Sequence, residues 1–145
     1  MNRPSTYNPL RLSSGVHAAA ARWPRKPAIM FEDRTLAYGE LTERIRRVCG
    51  AAIALGLRHG DRAAILAPNC LEYPELVVGL SDAGAIVATL NPRSTTHELV
   101  AACDDCGARI LFVHPAVASI AAAARFSTVE QVICLDDEYA SLLAK

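Results

Sequence analysis

The chain reads as an α/β fold. An open, mainly parallel four-stranded sheet (62–67, 86–90, 109–113, 131–135) has helices on both faces and follows a β-hairpin and a long amphipathic helix. Three observations predict it. Apolar runs at 62–67 and 86–90 are bounded by Gly60-Asp61 and Pro68-Asn69, then by Gly84 and Asn91-Pro92, as strands buried on both faces are. The residues between them can hold a crossover helix, which makes the unit βαβ with parallel strands. Two further apolar runs alternate with helical stretches, the pattern of a parallel sheet. The first of the four strands is expected inside the sheet, in the order second, first, third, fourth.

In chain order, residues 1–12 read as a loose arm. Ser13 or Ser14 can cap a short alanine-rich helix to about residue 22, and Trp23-Pro24 ends it, because a residue before proline avoids the helical region. A hairpin follows: strand 28–31, turn Glu32-Asp33-Arg34, strand 35–37. Residues 38–55 form the clearest helix, with Leu41, Ile45, Val48, Ala52 and Leu55 on one apolar stripe. Arg44, Arg46 and Arg47 flank that stripe and are expected to face water. Gly56 suits the left-handed position that ends a helix. Asn69 is expected to cap the next helix with Glu72 reaching back, although Pro74 draws the start towards Glu72; Gly84 stops it. Thr95-Thr96-His97-Glu98 is a capping box, and the helix it opens runs to Gly107. Residues 116–124 form a weakly patterned helix, and a short helical tail ends at Lys145. The expected organisation is an arm with a short helix (1–22), a hairpin plus helix (23–57) and an α/β subdomain (58–145).

With 145 residues the chain suits one domain or a fragment of a larger one. Its 52% hydrophobic content is enough for a core. Fifteen acidic and fifteen basic residues balance, which argues against nucleic acid or an anionic membrane as the main partner. No apolar run reaches the length of a membrane span, and residues 1–15 lack an apolar signal core; a cytoplasmic protein is expected. Five cysteines fit reduced thiols. Cys103 and Cys106 form a C-x-x-C, but zinc needs a second ligand pair. A redox motif would open a helix rather than close one, so these two read as incidental thiols.

Few residues point to chemistry. No two of the eight glycines lie in a phosphate-cradling loop, and there is no G-x-S-x-G elbow. His17, His59, His97 and His114 have no ligand spacing and read as solvated residues. Asp104-Asp105 and Asp136-Asp137-Glu138 sit at element ends, where solvated charge is ordinary. Arg93 stands above this background. It follows Asn91-Pro92 at a strand's carboxyl end, just before a helix N-terminus, and both helix N-termini and arginine forks favour phosphate. The competing reading is an exposed loop arginine.

The motifs in order resemble a known family. The segment 36–41 (LAYGEL) resembles the first core motif of the AMP-forming adenylate enzymes: acyl-CoA synthetases, adenylation domains of nonribosomal peptide synthetases and beetle luciferases. The segment 56–65 (GLRHGDRAAI) resembles the family's G-L-x-x-G-D-x-V-A-I, and Pro68-Asn69 its P-N. The segment 80–92 resembles its second core motif, ending in the N-P of the acyl-CoA and aryl-CoA ligase branch, and Thr95-x-x-Glu98-Leu99 continues it. The resemblance implies a parent enzyme, an acyl-CoA or aryl-CoA synthetase that uses ATP, Mg2+ and CoA. It would activate a small-molecule carboxylic acid to an acyl-adenylate and pass the acyl group to CoA. It also implies that Arg93 lies near the CoA nucleotide phosphates.

The family's phosphate loop, acyl pocket and adenylation lysine are not among these residues. No residue here is assigned to catalysis or to a metal, and the 145 residues alone are expected to be inactive. Their expected partner is the remainder of the parent enzyme, with self-association through the uncovered surface. The alternative is a stand-alone α/β module that binds CoA or another nucleotide through the 67–69 and 90–93 loops without catalysis. Ala37 departs from the family's Thr or Ser and forfeits a cap bond, about 0.5–2 kcal/mol of stability.

Overall fold

The computed structural model describes residues 11–144; most of the expected arm, and Lys145, lie outside them. The elements are helix α1 (Ser14–Arg22), hairpin strands β1 (Pro27–Phe31) and β2 (Arg34–Ala37), helix α2 (Tyr38–Ala54), strand β3 (Arg62–Leu66), helix α3 (Glu72–Asp82), strand β4 (Ile86–Leu90), helix α4 (Thr96–Cys106), strand β5 (Ala108–Val113), a 3₁₀ turn (Pro115–Val117), helix α5 (Ala118–Ala122), strand β6 (Gln131–Cys134) and helix α6 (Asp137–Leu143). The parallel sheet has the order β4-β3-β5-β6, which is the expected order. Leu66 pairs with Leu90 on one side and Val113 on the other.

The core has two halves, one on each face of the sheet. Ile65, Ile110, Phe112 and Ile133 pack against Leu76 and Leu80 of α3, Val48 and Ala52 of α2, and Tyr139 and Leu143 of α6. Ala64, Leu66, Leu111 and Val113 pack against Leu99 and Cys103 of α4 and Ala121 of α5. Side chains alternate across a strand, and helices cover both faces, so β3 and β5 are apolar at consecutive positions.

Several expectations need correction. Strand β4 is not buried on both faces: it is an edge strand, and Ile86 is 57% exposed. Arg44 does not face water. It is half-buried and donates through Nε and Nη2 to Glu75. Asn69 does not cap α3; the helix starts two residues further on, after Leu71, with Pro74 in its first turn, where a missing N–H costs nothing. The helix expected at 116–124 breaks into the 3₁₀ turn and the short α5. The hairpin turn is two residues long: Arg34 pairs with Phe31, and Glu32 at φ 53 takes the left-handed conformation that such a turn requires.

Other signals fold as read. Thr95 accepts from the Glu98 N–H at 3.3 Å, and Glu98 accepts from the Thr95 N–H at 2.8 Å. Gly107 ends α4 at φ 64, a conformation that costs glycine nothing. At Ala37 half of a capping box survives: its N–H donates to Glu40 Oε2 at 2.9 Å, and alanine has no side-chain oxygen to return the bond.

The G-L-x-x-G-D segment ties the amino ends of the strands together. Asp61 accepts from the Arg58 N–H at 2.8 Å and from Arg109 Nη1 at 2.5 Å. Arg109 also forks onto Glu130 with two 2.8 Å bonds. The Arg58 N–H, then Arg109, hold the Asp61 carboxyl below its ordinary range, and Arg109 does the same for Glu130. A carboxyl depressed in the folded state stabilises it above the unfolded pKa, and that contribution is lost as pH falls through the folded value. Thermal melts taken from about pH 7 to about pH 3 are therefore expected to drop towards acid. Asp61→Asn should melt lower at neutral pH and show a shallower acid limb. An unchanged limb in the variant would rule out this cluster as its source.

Candidate functional site at the carboxyl edge of the sheet

Ligands of open α/β sheets bind outside the carboxyl ends of the strands. Because β4, β3 and β5 end in register, the segments after Leu90, Leu66 and Val113 lie side by side. Asn91 Oδ1 accepts the Arg93 N–H at 3.0 Å, an Asx turn that reverses the chain between β4 and the capped start of α4. Arg93 is exposed, and among the described residues its guanidinium has no hydrogen bond or ion pair. It is therefore the free cation at this edge that the sequence singles out. Just after β5, the His114 N–H donates to the Leu66 carbonyl at 2.9 Å, and His114 Nδ1 accepts from the Ala116 N–H at 3.2 Å.

The other sequence candidates do not gather here. His17 approaches Asp82 at 3.8 Å, where α1 meets α3; His59 lies in the turn before β3, and His97 is exposed in the first turn of α4. Asp104 Oδ1 accepts the Ser127 and Thr128 N–H groups at 2.9 and 3.2 Å, which holds the loop before β6. Those bonds, the Ser127 N–H foremost, lower its carboxyl pKa. Asp136 caps α6 by accepting from the Glu138 N–H at 2.9 Å. Asp104 and Asp136 thus serve local structure. All five cysteines are free. Burial pushes the Cys103 thiol up to about 11, and Cys106 Sγ donates to the Cys103 carbonyl at 3.4 Å, so this C-x-x-C is two packed thiols. Among the described residues no three His, Cys, Asp or Glu side chains come together as a metal site.

Sequence reasoning missed a buried polar cluster beside this edge. Glu75 is fully buried; it accepts from Arg44 and from the Tyr139 O–H at 2.7 Å. Three helices, α2, α3 and α6, therefore share one carboxylate. The cluster lies against a groove of about 270 Å³ whose lining includes Arg34, Glu72 and Asp136. A second groove of about 450 Å³ runs between α2 and α6. Arg93 lines neither. The available clue was position: residues 75, 76, 79 and 80 make the buried stripe of α3, and an acid stands on it.

A parallel sheet with its first strand inside and helices on both faces is an open α/β fold. Within that class, the chain belongs to the AMP-binding enzyme family, whose model matches residues 16–144. It is 35% identical over 114 residues to a long-chain-fatty-acid–CoA ligase of Salmonella typhimurium, covering 76% of this chain and 20% of that protein. To a feruloyl-CoA synthase of Amycolatopsis it is 37% identical over 100 residues, covering 69% of this chain and 20% of that protein. Among solved structures, the N-terminal domain of FACL13 from Mycobacterium tuberculosis superposes with a TM-score of 0.83 at 26% identity, over 90% of this chain and 35% of that one. The chain spans about a fifth of the length of the curated relatives it matches. The resemblance carried by the ordered motifs is thereby borne out, as is the α/β sheet.

Proposed function

We propose that these residues are part of a longer AMP-forming acyl-CoA or aryl-CoA synthetase, which joins a carboxylic acid to CoA through an acyl-adenylate. The supporting observation is that relatives 35–37% identical to the chain are CoA ligases of fatty and aromatic acids. In this reading the three-part organisation at 1–22, 23–57 and 58–145 holds, and the α/β subdomain continues into the remainder of that protein, its main partner. In this reading ATP and Mg2+ belong to the remainder of that protein, because these residues carry no phosphate loop. No step of adenylation is assigned to them. Among the described residues, no helix is long and apolar enough to cross a membrane.

CoA fits better. Its nucleotide phosphates suit a free guanidinium held by an Asx turn at a helix N-terminus, and Arg93 is that residue. Hydrogen bonds to charged groups contribute about 1.5–3 kcal/mol. Arg93→Ala is therefore expected to weaken CoA binding by about tenfold to a hundredfold in a calorimetric titration. Equal affinity in wild type and variant would remove Arg93 from the site. The same protein should catalyse no exchange of pyrophosphate into ATP, and measurable exchange would place an adenylation centre in these residues and overturn the division of labour.

A further inference from the structure

We draw no further inference here: the strongest candidate, the groove of about 270 Å³ between α2, α3 and α6 over the buried Glu75 cluster, carries nothing, because Arg44 and Tyr139 already engage both Glu75 carboxylate oxygens and nothing in the structure shows what covers it.

Discussion

Arg44→Ala is expected to cost about 3–5 kcal/mol, the range for stranding one member of a buried ion pair. In a urea titration, with a slope of about 1–3 kcal/mol per molar for a small domain, the midpoint should fall by 1 M or more. Glu75 has no exposed side-chain surface, whereas Arg44 retains 31%. Removing the arginine leaves the carboxylate in the core with one donor, the Tyr139 O–H. Replacing both partners by apolar residues removes the stranded charge, so Arg44→Met/Glu75→Leu should be much closer to wild type than the sum of its single variants. The control lies on the same helix. Glu43 is held down to about 2 by Arg46 and Arg47, yet this cluster faces solvent, where water screens the pairs, and Glu43→Ala should barely move the midpoint. A small loss in Arg44→Ala would mean that Glu75 finds water or another donor, and the three-helix clamp would be wrong.

That clamp also marks the limit of what the sequence made legible. Elements set by local chemistry were readable: the apolar stripe of α2, the reciprocal box at Thr95 and Glu98, and the left-handed stop at Gly107. Each depends on residues within a few positions of one another. Arg44 and Glu75 are 31 positions apart, and nothing in the helix period says that an arginine beside the stripe will meet an acid on another helix. The exposure of β4 depends on strand order, and its composition is that of a covered strand. Asn69 is an apt cap, but Pro74 cannot donate inside a helix, so the later start wins. The candidate site was legible as a place, because the carboxyl edge follows from the parallel topology. The Asx turn at Asn91 and Arg93 needed coordinates.

Gly79→Ala is expected to destabilise the protein although alanine is the better helix former by about 1 kcal/mol. Gly79 lies on the buried face of α3, where α2 crosses it. A Cβ there would sit 2.5 Å from Val48 Cβ, 2.6 Å from Val48 Cγ1 and 2.9 Å from the Ile45 carbonyl oxygen. None of these is the free end of a flexible side chain. Val48 is 2% exposed, and the carbonyl belongs to the backbone of α2, so the helices must move apart. Overpacking of this kind costs about 1–3 kcal/mol, which outweighs the gain in propensity. The cost also spreads. Glu75 stands one turn before Gly79 on α3, and Arg44 one turn before Val48 on α2, so separating the helices stretches the ion pair as well. Gly79→Ala and Arg44→Ala should therefore show a coupling energy in a double-mutant cycle, and Gly79→Leu should fail to fold. Gly50 supplies the opposite sign on α2. A Cβ there meets nothing within 4 Å, so Gly50→Ala should stabilise by up to about 1 kcal/mol. If truncating the neighbour in Gly79→Ala/Val48→Ala restores the midpoint, the loss is steric. If it does not, the displaced Arg44–Glu75 pair carries the larger share.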